Sequence, residues 1–150
     1  NGEEKVECTN EAVVHTNQVA KMRSFVIKLE EKEIDRFRAD GLIVSTPTGS
    51  TCYSMSAGGP IVDPRVDGFV IVPISPYKLA TKPYVVPVNK KIKAELTEKD
   101  KSCQLVLDGQ REYTLNYEDE LEFTLAEHKA KFISFDRDFY TRIRKKLVWK

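Results

Sequence analysis

The sequence has 150 residues, 41% of them hydrophobic and 31% charged, which suffices for one domain with its own core and leaves no room for a second full one. Its 24 basic and 23 acidic residues are interspersed and leave a formal net charge of +1, so the basic field that nucleic acids and anionic membrane surfaces require is missing. No apolar run reaches the length of a membrane span, the N-terminus lacks the pattern of a signal peptide, and Cys8, Cys52 and Cys103 have no CxxC spacing; a reduced cytoplasmic protein without disulfide framework, zinc site, nucleic-acid partner or membrane partner is expected.

In chain order, Asn1 to Lys5 is polar and has no initiator Met, so the chain is expected to be a piece of a longer polypeptide. Ala12-Val13-Val14 reads as a short strand entered through Asn10-Glu11, and a polar pair at a strand's start presents both side chains to a cleft. The Asn10 amide offers a donor and an acceptor together, which suits an adenine edge, and the Glu11 carboxylate can accept from two adjacent ribose hydroxyls. By itself the pair reads as a solvated loop. Phe25, Ile27 and Leu29 alternate with Val26, Lys28 and Glu30, and Ile34 to Arg38 returns after a charged Glu31-Lys32 turn, as a hairpin does. Alternation sends Arg38 and Asp40, at the hairpin's exit, to one face, where they can pair with each other or with a ligand.

Gly41 to Ser45 has the length and β-branched content of a buried strand, and Pro47 should end its pairing. Thr48 to Thr51 then reads as a tight turn, with Ser50 or Thr51 as N-cap of a short helix from Cys52 to about Ala57, and Gly58-Gly59-Pro60 as its stop. Free N–H groups there, flanked by hydroxyls and with Gly49 permitting close backbone approach, would suit an anion or the polar groups of a nucleotide. A purely structural turn has the same composition.

Phe69 to Ile74 reads as a strand buried on both faces and ended by Pro73 and Pro76, followed by an extended Tyr84 to Val88. Ile92, Ala94 and Leu96 alternate with Lys and Glu; Leu105 to Leu107 turns at Asp108-Gly109 and returns through Tyr113 to Leu115; Leu121, Phe123 and Leu125 alternate again. Lys131 to Phe135 reads as the last strand before a helix from about Asp138, whose stripe is Phe139, Ile143 and Leu147 and whose other face carries Arg142, Arg144, Lys145 and Lys146. Short strands at regular spacing predict a mostly β, many-stranded sandwich-like domain with one short helix after the TPTGST turn and one C-terminal helix.

The string DGLIVSTPTGSTCYSMSAGGPIV over 40–62 resembles the signature of the NAD kinase family almost residue for residue, with Cys52 where the family commonly has Ala. Thr9-Asn10-Glu11 lies at about the family's distance upstream, VIVPISPYKLATKPYVVP over 70–87 is similar to its Pro-Ile-x-Pro segment with Tyr77 where a His is often found, and Asp108-Gly109-Gln110 and the closing FxxRIRKKL also fit. The resemblance covers nearly all of the chain and implies the family's C-terminal, NAD-binding β domain, of archaeal or bacterial type. By that resemblance Asn10 and Thr51 would read the adenine, Glu11 would hold the ribose, Asp40 with Arg38 nearby would face the rest of the dinucleotide, and Tyr53 would flank it. Thr48, Cys52, Ser54 and Ser56 would complete the turn and helix surface, with Gln110 joining from the Asp-Gly-Gln motif.

Making NADP from NAD transfers a γ-phosphoryl group to the adenosine ribose 2′-hydroxyl, which needs a phosphate cradle, Mg²⁺ to neutralise charge and a base near that hydroxyl. The family's Gly-Gly-Asp-Gly motif, which would supply the cradle and base in an N-terminal domain, does not occur in this sequence. The expectation is therefore an NAD-binding half without catalytic residues or a metal site of its own, which binds dinucleotide weakly alone, serves ATP or polyphosphate chemistry in the whole protein, and forms a homo-oligomer such as a dimer or tetramer. The alternatives are a non-catalytic nucleotide-sensing module and the C-terminal β domain of a related lipid kinase. A Ser or Cys hydrolase is disfavoured, because Ser50, Cys52 and Ser54 have no GxSxG context and only His15 and His128 could serve as bases.

Overall fold

The computed structural model describes residues 4–99, 101–117, 119–133 and 138–147. In chain order its strands are β1 (Glu11–Thr16), β2 (Arg23–Leu29), β3 (Lys32–Ala39), β4 (Gly41–Ser45), β5 (Gly68–Ile74), β6 (Tyr84–Pro87), β7 (Ile92–Leu96), β8 (Cys103–Leu107), β9 (Arg111–Leu115) and β10 (Glu120–Phe123), with short helix α1 (Tyr53–Ser56) and C-terminal helix α2 (Phe139–Leu147). The strands form two antiparallel sheets, one of six strands in the order β6-β5-β4-β1-β8-β9 and one of four in the order β10-β7-β2-β3. The sandwich-like β architecture expected from the spacing of short strands is the one observed.

The period of two explains how the sheets meet. Ile92, Ala94 and Leu96 of β7 and Cys103, Leu105 and Leu107 of β8 are buried at alternate positions, and these inner faces join Val14, Phe25, Ile27, Leu42 and Ile71 in one core between the sheets. Strands β4 and β5 are buried at every position. Their outer faces are covered too: Val13, Ile43, Val70, Val72 and Ile74 pack with Val62 from the segment that follows α1. That segment lies close enough that a Cβ on Gly59 would come within 2.9 Å of a Val72 methyl and 2.6 Å of Ser54 Oγ.

Four details differ from the sequence reading. The turn after β4 is a 3-10 helix over Gly49–Thr51, and α1 begins only at Tyr53 with Cys52 in the N-cap position, so neither Ser50 nor Thr51 caps it. Both hydroxyls are drawn to nearby carbonyls instead, Ser50 Oγ to Pro47 O at 2.7 Å and Thr51 Oγ1 to Thr48 O at 3.4 Å. Pro73 does not end β5: it pairs with Leu42 inside the strand. The β6 partner reaches only as far as Ile71, so Pro73 has a ladder on one side alone, a position where its missing N–H is tolerated. The expected last strand, Lys131 to Phe135, is not a strand over 131–133, and its remaining positions lie outside the described residues; Leu125 likewise falls beyond β10 and is exposed. Asp138, as expected, opens the C-terminal helix, its carboxylate accepting from the Tyr140 N–H at 3.1 Å.

Candidate functional site

Antiparallel pairing of β1 and β4 sets Glu11 opposite Ser45, which brings the residues before β1 alongside those after β4. The two segments are then sewn together. Thr46 N–H donates to Asn10 O at 2.9 Å, Thr46 Oγ1 donates to Thr9 O at 2.8 Å, and Ser45 Oγ reaches Asn10 O at 3.3 Å. Gly49 lies directly on this crossing: a Cβ there would be 2.1 Å from Asn10 O and 2.4 Å from its carbonyl carbon. The close approach that the sequence suggested is thus to the chain's own backbone, and only glycine permits it.

A third segment closes the site from the other neighbour of β1. Asp108 and Gly109 both have positive φ, +50° and +67°, in the tight turn between β8 and β9. The Asp108 carboxylate points back across the sheet end and accepts from three consecutive N–H groups, Thr9 at 2.7 Å, Asn10 at 2.7 Å and Glu11 at 3.1 Å. Its own N–H donates to Glu11 O at 3.0 Å. The backbone of the Asn10-Glu11 pair is therefore fixed on both sides, while the half-buried Asn10 amide makes no hydrogen bond among the described residues.

The electrostatics of this end are dominated by unpaired carboxylate. Glu11 is only 7% exposed, and its Oε2 has no hydrogen-bond partner among the described residues. Burial first, and the adjacent Asp108 charge second, hold its pKa above the usual carboxylate value. A buried acceptor without a donor is costly for folding alone and suits a ligand that brings hydroxyls. The same surroundings suppress thiol reactivity. Burial, with Asp108 and Glu11 adding to it, pushes the Cys8 thiol up to about 11, and burial raises Cys52 and Cys103 as well. His15 pairs with Gly41 at the far end of β1 and β4, away from the turn that carries Ser50, Cys52 and Ser54.

Asn10, Glu11, Thr48, Thr51, Cys52, Tyr53 and Gln110 all gather at this end of the six-stranded sheet. Thr48, Ser56 and Gln110 are exposed, Thr51 and Cys52 are half-buried, and the Tyr53 ring is 42% exposed. Ser54 differs: it is fully buried against Gly59, and its Oγ has no partner among the described residues. The N–H groups expected to be open are partly spent, since Gly49 N donates to Thr46 Oγ1, Ser50 N to Pro47 O and Cys52 N to Gly49 O. Hydroxyls, an amide and a carboxylate are the site's main polar surface. Alongside it, Thr48, Thr51 and Pro64 share a groove with Phe139, Arg142, Ile143, Lys146 and Leu147 of α2.

Arg38 and Asp40 do not join this group. They sit at the opposite end of β4, about 20 Å from Thr46 by six residue steps of an extended chain. There the Arg38 guanidinium lies over the Tyr77 ring at 5.9 Å, and Tyr77 N–H donates to Arg38 O at 2.8 Å. No ion pair joins Arg38 to Asp40 among the described residues.

Comparison with known proteins follows the same residues. The family model described as "ATP-NAD kinase C-terminal domain" matches residues 9–135. The chain belongs to the NAD kinase family. It is 48% identical over 139 residues to an NAD kinase of Methanothermobacter thermautotrophicus, covering 93% of this chain and 49% of that protein, and 42% identical over 148 residues to one of Thermoplasma volcanium, covering 99% and 54%. Among solved structures, an NAD kinase from Archaeoglobus fulgidus in complex with ATP superposes with a TM-score of 0.81 at 34% identity, covering 91% of this chain and 54% of that one. Yeast NADH kinase complexed with NADH superposes with a TM-score of 0.83 at 25% identity, covering 93% and 44%. The chain thus spans about half the length of the NAD kinases it matches. No helix among the described residues is long and apolar enough to cross a membrane. Among the described residues no three or more His, Cys, Asp or Glu side chains converge as they would to hold a metal ion.

Two contributors to the site are absent from the sequence reading of ligand contacts. Thr46 and Asp108 touch backbone rather than open space, and their partners lie 37 and up to 99 residues away. The Asp-Gly turn could be read locally, but nothing local announces where its carboxylate goes.

Proposed function

We propose that this chain is the dinucleotide-binding part of an NAD kinase, which phosphorylates the adenosine ribose 2′-hydroxyl of NAD to give NADP. In that reaction the hydroxyl oxygen bonds to the γ-phosphorus, the bond from that phosphorus to the leaving phosphate oxygen breaks, and the hydroxyl proton passes to a base. ATP or polyphosphate is the donor, and Mg²⁺ travels with it. The observation that carries the reading is the junction of the Asn10-Glu11 pair with the Thr46 to Thr51 turn: an Asn10 amide and a buried Glu11 Oε2 without hydrogen-bond partners among the described residues, beside the exposed Thr48 and half-buried Thr51 at one sheet end, as an adenosine needs. Asn10 and Thr51 take the adenine, Glu11 the ribose, and Tyr53 flanks them, with Thr48, Cys52, Ser56 and Gln110 forming the rim. Ser54, being buried, supports the helix from beneath. Arg38 and Asp40, at the far sheet end, serve the remainder of the dinucleotide.

The phosphate cradle and base belong to another, N-terminal domain carrying a Gly-Gly-Asp-Gly motif, so the 150 residues alone bind NAD weakly and do not turn over. Association into a homo-oligomer accompanies this, favoured by edge strand β6, where Tyr84 and Val85 are exposed. The working compartment is the cytoplasm. Calorimetric titration of the chain with NAD, and NAD phosphorylation assays of the chain and of the whole protein with ATP and with polyphosphate, test the reading. Appreciable turnover by the 150 residues alone would overturn the division of labour.

A further inference from the structure

We propose that Asp108 is the positioning residue of the dinucleotide site: by holding the N–H groups of Thr9, Asn10 and Glu11 on one carboxylate it fixes where the Asn10 amide and the Glu11 carboxylate point. The inference rests on the reading of this sheet end as the adenosine site. Three charge-assisted bonds from consecutive N–H groups to one side chain curl that backbone around an anion, an arrangement that costs a protein a half-buried charge with no basic partner. Among the salt bridges of the described residues none involves Asp108. A loop that needed only an ordinary turn would not require this. What the arrangement achieves is placement: Glu11 enters β1 with its backbone held from the β8–β9 turn through Asp108 N–H and Oδ1, and from the β4 side by the Ser45 pairing.

Asp108 also acts on Glu11 through its charge. The titratable groups that face Glu11 are Asp108 from the β8–β9 turn, Cys52 from the start of α1 and Cys8 from the preceding segment; the β4 side contributes the neutral Ser45. The Asp108 carboxylate, second to burial, makes Glu11 hold its proton more tightly. A ribose diol donates to the ionised form, so Asp108 adds to burial in raising the lower edge of the pH range in which the site accepts it.

The test compares Asp108→Asn and Asp108→Gly with Asn10→Ala in the whole protein. Asn and Gly both tolerate the positive φ of this position, so the turn is retained. Asn keeps one acceptor but turns an NH₂ toward an N–H donor, and Gly removes all three bonds. Expected for both is a rise of about tenfold in the KM for NAD with kcat within about twofold, as for loss of uniform binding. The acid limb of the kcat/KM profile should move to lower pH in Asp108→Asn. Loss of melting temperature with KM and the acid limb unchanged would make Asp108 a structural residue only and overturn the inference. If Asn10→Ala leaves the KM for NAD unchanged, the adenosine reading itself falls; if Asn10→Ala weakens binding and the Asp108 variants do not, only the positioning role falls.

Discussion

The two ends of β4 carry different kinds of polar chemistry. At the Ser45 end, three segments meet in a net of backbone and side-chain hydrogen bonds, with glycine at the one point where two backbones cross. At the Asp40 end, an exposed Arg38 rests on the Tyr77 ring, and Asp40 is held through its backbone, donating to Ile74 O at 3.0 Å and accepting from Thr16 N–H at 2.8 Å. At one end the backbone that carries the polar side chains is fixed from two sides. At the other, the Arg38 side chain is held by a ring contact and the Asp40 backbone by two bonds. The difference teaches where substitutions should act on folding and where on ligand contact alone.

The largest effect is expected for Gly49→Ala. Its Cβ would collide with the Asn10 carbonyl, and backbone cannot step aside as a flexible side chain can, so a loss of about 3 kcal/mol or more in unfolding free energy is expected, with dinucleotide binding lost alongside. Denaturant titration checks it; a stable Gly49→Ala protein would show that the crossing is loose.

Acidification should separate the site from the fold. Glu11's folded pKa lies above its unfolded value, so its ionised form costs stability at neutral pH, and that cost is relieved as pH falls through the folded value. Ligand binding runs the other way, because protonated Glu11 loses acceptor capacity for the ribose diol. NAD affinity should therefore fall over the pH range in which stability, measured against Glu11→Gln, rises. Titration of both proteins by calorimetry and thermal melting detects the crossing.

Arg38→Ala sharpens the comparison from the other end. It removes an exposed cation–π contact worth about 0.5–1 kcal/mol, so the melting temperature should move little, far less than for Gly49→Ala. Smallest of all is Cys52→Ala. Cys52 is half-exposed and bonds through its backbone, with Cys52 N–H to Gly49 O at 2.8 Å, so stability and NAD affinity should both stay within about 0.5 kcal/mol of the parent. A large loss would mean that the thiol, rather than the backbone, shapes this turn.

Much of this was legible in the sequence because it is written in local patterns. The period of two in Ile92 to Leu96 predicted a strand that buries alternate residues, and unbroken apolar runs marked β4 as buried and β5 as buried on both faces; in β2 the strand was legible but the alternation was not kept, because Val26 is buried beside Phe25 and Ile27. The Asp108-Gly109 turn was readable for the same reason. What stayed hidden depends on partners far along the chain. Pro73 could continue β5 because β6 stops short of it, and the reach of β6 cannot be read at Pro73. Ser50 or Thr51 was expected to cap the helix, yet Ser50 is fully buried and bridges Pro47 O and the Val62 N–H, twelve residues on, and Thr51 Oγ1 donates to Thr48 O. Alternation was expected to send Arg38 and Asp40 to one face, and what it could not show is that a whole strand, β4, lies between this pair and the turn motif.

The Asp108 clamp also dictates when the chain becomes competent. Asn10 and Glu11 are made nearly a hundred positions before the carboxylate that seats them, and contacts so distant in sequence are late and slow to form. Nucleotide capture should therefore report the completion of the six-stranded sheet during synthesis, with nascent chains that end before the β8–β9 turn unable to retain NAD however well their early strands have paired.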